Sequence, residues 1–141
     1  MQVKIKYIRD VEKVAPFKFG DWIDLRAGED VKMKKGDYKV IKLGVAMELP
    51  EGYEAIVAPR SSTFKHFGII LVNGLGVIDN SYCGDEDEWG FLALAMRDTV
   101  IHKNDRICQF RILKNQPIIS FQTVDELGNV NRGGVGSTGV N

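Results

Sequence analysis

The apolar residues of this chain come in short runs closed by turn-forming residues, a pattern that leaves little room for long helices. Val3, Ile5 and Tyr7 alternate with Lys4 and Lys6, and Val31 and Met33 alternate with Lys32 and Lys34. A period of two is that of a strand with one face buried. Compact apolar runs follow over Tyr38 to Val45, Ala55 to Ala58, Ile69 to Val72, Phe91 to Met96, Ile107 to Ile112 and Ile118 to Phe121. They are separated by Lys35-Gly36-Asp37, Pro50-Glu51-Gly52, Asn73-Gly74, Lys103-Asn104-Asp105 and Leu127-Gly128-Asn129, all combinations that favour turns. Many short strands at such intervals predict an all-β sandwich or barrel. One short helix fits, from about Ser62 to Phe67, with a serine available to cap it. The apolar stretches on either side of Asn73-Gly74 read as a β-hairpin.

A length of 141 residues suits one domain spanning 1–141. With 19 basic and 19 acidic side chains, the chain exerts no general pull on duplex nucleic acid or a membrane surface. Any polyanion it binds must therefore meet a local cluster of positive charge. No apolar run approaches the roughly 20 residues that span a bilayer, and the first residues lack a signal-peptide core. Cys83 and Cys108 show neither CxxC spacing nor a disulfide framework. A cytoplasmic protein with free thiols is the plainest expectation.

Several segments could carry chemistry. The stretch from Asn131 to Gly139 is too rich in glycine for a strand; it is either a frayed tail or a lid, over 131–141, that orders around a ligand. Its glycines free backbone N–H groups for an anion, Arg132 adds a forked cation, and Ser137 and Thr138 add hydroxyls. No lysine follows them, so this is not a Walker A loop. In Pro59-Arg60-Ser61-Ser62 an arginine and a serine pair enter the short helix, either to grip an oxyanion or simply to cap it. Asp79 directly follows the apolar pair Val77-Ile78 and is either a general base or a strand-end surface residue. Tyr82 could stack on a ring or fill the core. Asp105 and Arg106 could pair within their turn, leaving Gln109 on a strand face. The acidic run Asp85-Glu86-Asp87-Glu88 reads as a solvated loop, and His66 and His102, each flanked by lysine, read as surface histidines rather than ligands.

Taken in order, these segments resemble the five motifs of the trimeric dUTPase family, in the form found in Gram-positive bacteria and their phages. The motifs are Gly20 to Ala27, Pro59 to Ser62, Asn73 to Gly84, Asn104 to Gln109 and Arg132 to Gly139. The resemblance implies a jelly-roll (β-clip) subunit assembled as a homotrimer with C-terminal arm exchange and three shared active sites. It implies Mg²⁺-dependent hydrolysis of dUTP at the α-phosphate to dUMP and pyrophosphate. Asp79 would orient and deprotonate the attacking water, and Asn73, Val77 and Ile78 would read uracil. Tyr82 would pack on the deoxyribose and exclude a 2′-hydroxyl. Arg60, Ser61, Ser62, Gln109, Arg132, Gly136, Ser137 and Thr138 would hold the triphosphate, and Asp24 would bind the hydrated metal through water. A phage-encoded member could also take a regulatory protein partner.

The match has departures. The first motif lacks the Ala-Gly of many members, the final motif carries Val135 where an aromatic often stacks over uracil, and the insertion Asp85 to Gly90 is longer than in many relatives. Trp89 or Phe91 is expected to supply the missing stacking surface. The nearest rival is dCTP deaminase, which shares the fold and a similar Arg-Ser-Ser segment but places a glutamate base in another context.

Overall fold

The structure, a computed structural model, describes residues 1–16, 18–134 and 136. Among the described residues eleven strands and one helix form in chain order. They are β1 (Lys4–Tyr7), β2 (Ile23–Arg26), β3 (Val31–Met33), β4 (Tyr38–Lys42), β5 (Val45–Glu48), β6 (Tyr53–Pro59), α1 (Thr63–Phe67), β7 (Ile69–Leu71), β8 (Gly76–Ile78), β9 (Gly90–Ala95), β10 (Thr99–Ile101) and β11 (Arg106–Lys114). Two larger sheets run β2-β11-β6-β8 and β4-β9-β7, and two ribbons pair β1 with β5 and β3 with β10. Each of these pairings is antiparallel. The all-β expectation with one short helix therefore holds. Among the described residues no helix is long and apolar enough to cross a membrane, and both cysteines are free thiols.

Three local expectations are corrected. The run Tyr38 to Val45 is two strands, β4 and β5, in different sheets. Gly44 breaks it, with φ at +78° and a Cβ position only 3.1 Å from the Val11 side chain, a conformation and a space that suit glycine alone. Asn73-Gly74 does turn the chain, but the strands it joins do not pair with each other. β7 pairs with β9, and β8 crosses to β6 in the other sheet, so the segment bridges two sheets and is not a hairpin. Ile118 to Phe121 lies outside any strand, with Ile118 and Phe121 almost wholly exposed. Sequence pattern marks an apolar strand, but only a neighbouring edge can satisfy its backbone, and none of the described residues pairs with it.

The core gathers Leu25, Ile41, Leu43, Val45, Val57, Ile69, Ile101 and Ile107 around the two largest buried side chains, Trp89 and Phe91. Trp89 meets Phe110 edge to face, with ring centroids 5.3 Å apart, the geometry favoured by the ring quadrupoles. Burial corrects the stacking expectation: Trp89 is 1% and Phe91 0% exposed, so neither ring is available to a ligand. The β-strand period explains why. Phe91, Ala93 and Ala95 alternate inward along β9, and Trp89 precedes them on the same inward phase. Removing so large a buried ring leaves a cavity, so Trp89→Ala is expected to lower the unfolding free energy by about 3–5 kcal/mol. Urea denaturation checks this, and a loss under about 1 kcal/mol would contradict the packing described.

Candidate active site

β11 is paired on both sides, and its central position assembles one half of the site. Gln109 lies opposite Asp24 of β2 on one side and opposite Ala58 of β6 on the other. Chemistry-bearing side chains from three segments are thus brought to one end of one sheet. Arg60 Nε lies 3.1 Å from Asp24 Oδ1, and Arg106 Nη1 lies 3.7 Å from Asp24 Oδ2. The Arg60 guanidinium also donates to the Arg106 carbonyl at 3.2 Å, and Gln109 donates to the Pro59 carbonyl at 3.0 Å. A cavity of about 340 Å³ opens here, lined by Gly20, Asp21, Trp22, Asp24, Arg60, Ser61 and Gln109.

The backbone at Arg60 is held by Thr63, a fully buried polar residue. The Thr63 hydroxyl accepts from the Arg60 N–H and donates to the Ile107 carbonyl, both at 2.8 Å. Helix α1 starts as expected, but Ser62 at its N-cap makes no side-chain capping bond. Its hydroxyl is thus not spent on the helix end. Asp24 is only 11% exposed at its side chain, and its Oδ2 is buried without a hydrogen bond. Burial, and then the charge of Asp24, push the neighbouring Cys108 thiol far above its ordinary range, so Cys108 stays protonated and inert.

The second cluster is the loop after β8. Asp79 is exposed, and its Oδ1 accepts from both the backbone N–H and the hydroxyl of Ser81 at 2.8 Å. These bonds favour the charged form and lower its pKa below the ordinary aspartate value. Asn80 anchors the loop by donating to the carbonyls of Leu49, Pro50 and Tyr53. Tyr53 begins β6 and Arg60 follows its end. β8 runs from Gly76 beside Val57 to Ile78 beside Ala55, so the chain moves away from Arg60 as it reaches Asp79. Ala55 alone stands about 10 Å from Ala58 at the usual strand rise. Within one chain, therefore, Asp79, Asn73, Val77, Ile78 and Tyr82 form one group, and Asp24, Arg60, Ser61 and Gln109 another. Asn73 and Val77 are exposed and Ile78 is half-buried.

Arg132 is exposed and Gly136 adopts φ of +85°; Val135, Ser137, Thr138 and Gly139 lie outside the described residues. The acidic run is only partly solvated. Asp85 and Glu86 are exposed, but the Glu88 side chain turns inward to Arg9 and Gly44. Asp105 does not pair with Arg106: it accepts from the His102 N–H at 2.8 Å, while Arg106 reaches Asp24. Sequence reading missed Thr63, Trp22 and the Arg106–Asp24 approach. Thr63, three residues after Arg60 and opening the helix, carried the one available signal, since threonine there bonds local backbone.

The dUTPase family profile matches residues 22–139. The chain belongs to the dUTPase family. It is 60% identical over 140 residues to the SPbeta prophage-derived deoxyuridine 5′-triphosphate nucleotidohydrolase YosS of Bacillus subtilis, an alignment spanning 99% of each chain. The corresponding enzyme of Neorickettsia sennetsu is 36% identical over 121 residues, covering 83% of this chain and 80% of that one. The fold is that of solved dUTPases. The dUTPase of Staphylococcus bacteriophage 80alpha with dUpNHpp superposes with a TM-score of 0.78 at 20% identity, covering 99% of both chains. A mutant dUTPase from phage phi11 of S. aureus, described as coordinating a structural Mg(II) ion, has a TM-score of 0.77 at 17% identity and covers 90% and 99%. The jelly-roll expectation is thereby met.

Thr63 links the helix to β11 beneath Arg60, so this dUTPase should be sensitive to its hydroxyl. Thr63→Val keeps the shape but leaves the Ile107 carbonyl and the Arg60 N–H unpaired, at an expected cost of about 1–3 kcal/mol. Thermal and urea unfolding of the variant read that cost directly, and an unchanged stability would refute the buried bridge.

Proposed function

We propose that this chain hydrolyses dUTP to dUMP and pyrophosphate in a Mg²⁺-dependent reaction, so keeping uracil out of DNA and supplying dUMP for dTMP synthesis in the cytoplasm. The observation that carries this reading is the cluster of Asp24, Arg60, Ser61 and Gln109 around one cavity, in a chain that aligns over 99% of both lengths with the Bacillus subtilis prophage-derived dUTP nucleotidohydrolase. Arginine, a serine hydroxyl and an amide donor suit the oxygens of a polyphosphate. Ser62, Arg132, Gly136, Ser137 and Thr138 extend this grip in the proposal.

Water attacks the α-phosphorus as Asp79 accepts its proton. The bond from that phosphorus to the oxygen bridging the α- and β-phosphates breaks, and pyrophosphate departs with the electron pair. Asp79 suits the task because Ser81 occupies Oδ1 alone, which fixes the carboxylate while leaving its second oxygen for water. Uracil is read by Asn73 and the backbone of Val77 and Ile78. Cytosine reverses donor and acceptor at that edge and would leave groups unpaired.

The residues present fit a hydrated magnesium ion. Asp24 Oδ2 is a buried carboxylate oxygen without a hydrogen bond, and the described residues hold no group of three or more metal-ligating side chains. A single carboxylate acting through water suits an ion that keeps several waters and takes phosphate oxygens. When bound, the ion would neutralise charge on the triphosphate. Arg60 and Asp24, paired here, would then turn to phosphate and hydrated metal respectively.

One chain separates Asp79 from the phosphate group, which supports a homotrimer whose sites are shared between subunits. The exposed apolar side chains of Ile118, Phe121, Leu127 and Val130 support exchange of the C-terminal arm onto a neighbour. A regulatory protein partner is a second proposed role; the 80alpha dUTPase is described as controlling the transfer of virulence genes, and the exposed Glu86, with Asp85 beside it 3.7 Å from Lys6, offers an acidic surface for such contact.

Pyrophosphate release from dUTP, dTTP, dCTP and UTP with Mg²⁺ tests the activity, and dUTP alone is expected to be cleaved well. Asp79→Asn should lower kcat by about 10²–10⁴ as a lost general base while dUTP still binds; full activity in that variant would remove Asp79 from the mechanism. The pKa of Asp79 is depressed on folding, so its bonded, charged form contributes stability above the ordinary aspartate range. That contribution fades as pH falls through the lowered value. A carboxyl-carbon NMR titration is expected to find Asp79 ionised throughout mild acid, and a midpoint above the ordinary value would contradict the Ser81 bonds.

A further inference from the structure

The loop that carries Asp79 continues into Tyr82, and the group that receives the Tyr82 hydroxyl lies outside every segment assigned to the reaction. The Tyr82 N–H donates to the Asp79 carbonyl at 3.0 Å. At the far end of the side chain its phenolic hydroxyl donates to the backbone carbonyl of Glu88, also at 3.0 Å. The residue is thus tied at its backbone and at its hydroxyl although it is 40% exposed.

The receiving peptide is itself clamped. The Glu88 carboxylate has 9% side-chain exposure and accepts from Arg9 Nε at 2.7 Å, Arg9 Nη2 at 3.4 Å and the Gly44 N–H at 2.9 Å. On the other side, the backbone N–H of the buried Trp89 donates to the Val45 carbonyl at 2.8 Å, and the Trp89 carbonyl accepts from the Leu43 N–H at 2.9 Å. Arg9 is held in turn. Its stem runs where Gly28 has no side chain, since a Cβ there would come within 2.8 Å of Arg9 Cδ. Its Nη1 lies 3.5 Å from Glu29, which pairs with Lys39 at 2.9 Å. The Glu88 bond raises the Arg9 pKa above its ordinary value, so the guanidinium is charged at every working pH.

We propose that Arg9 and Glu88 are positioning residues for sugar selection: by fixing the Glu88 carbonyl they hold the Tyr82 ring as a rigid wall against a 2′-hydroxyl. This rests on the reading of Tyr82 as the deoxyribose contact. The physical reason is general. Rejection by steric clash is only as strong as the cost of moving the wall. An exposed tyrosine turns readily about its two side-chain torsions, whereas one bonded to an immobile carbonyl must break that bond to yield. The long insertion then has a definite task, and Glu88 points inward because its side chain braces the peptide that receives the ring.

The test compares kcat/KM for dUTP and UTP, by pyrophosphate release, in the wild type, Tyr82→Phe, Arg9→Gln, Arg9→Lys and Tyr82→Ala, with melting temperatures alongside. Tyr82→Phe loses only the tether and is expected to lower the dUTP-over-UTP preference about tenfold, the factor one hydrogen bond can supply, chiefly through a lower KM for UTP. Arg9→Gln should shift the ratio in the same direction, and Arg9→Lys should restore it in part, because lysine keeps the charge but not the forked contact. If Tyr82→Ala abolishes the preference while Tyr82→Phe and Arg9→Gln leave it intact, the clamp is overturned and the sugar contact stands. If Tyr82→Ala itself leaves the preference intact, the sugar contact falls and the clamp with it. A purely structural Arg9 would lower the melting temperature and slow both substrates alike, leaving the ratio unmoved, which also overturns the proposal.

Discussion

The two-sided pairing of β11 is the interaction on which the rest of the molecule depends. Its backbone bonds β2 along one edge and β6 along the other, and this places Asp24, Gln109 and the Pro59–Ser61 segment at one end of one sheet. The inward side chains of the same strand, Ile107, Cys108 and Phe110, enter the core. A bulge between Arg106 and Cys108 lets consecutive residues serve opposite purposes, as bulges beside functional sites commonly do. Arg106 thereby faces Asp24 while Ile107 is buried and offers its carbonyl to Thr63.

Among the described residues two buried side-chain polar atoms lack a hydrogen bond, Asp24 Oδ2 and Trp89 Nε1. Thr63 bridges two backbone groups directly. Asp24 is the contrasting case: two guanidinium groups approach it, yet one of its buried oxygens has no hydrogen bond. A buried carboxylate in that condition is costly unless a ligand completes its surroundings. The end of the sheet proposed to hold phosphate thus combines two guanidinium groups with a carboxylate oxygen that has no hydrogen bond.

The other half is built for rigidity. Ser81 and Asn80 freeze the turn that presents Asp79, and the Arg9–Glu88 pair freezes the peptide that meets Tyr82. Preorganised groups lose little freedom when substrate arrives, which is how a small site gains both rate and discrimination. The two halves lie toward opposite ends of β6 in one chain. On the proposed reading, bringing them to one substrate requires an element from elsewhere, and the exposed apolar residues after β11 would form such a contact with another copy.

By itself, the sequence determined the class of fold, the short helix and the family. Period-two alternation, turn residues and the order of five motifs are all local properties, and local properties survive without knowledge of the partner strands. The motifs that hold Asp24, Arg60, Asp79 and Gln109 could be picked out in the same way, because each is a run of neighbouring residues. Only the tertiary structure decided which strands pair across Asn73-Gly74, that Trp89 and Phe91 are core, and that Glu88 turns inward beside three acidic neighbours. It also decided that Asp79 and Arg60 stand apart within one chain. Those outcomes depend on burial and on hydrogen bonds between residues distant along the chain, such as Arg9 with Glu88 and Thr63 with Ile107, and no window of neighbouring residues contains that information.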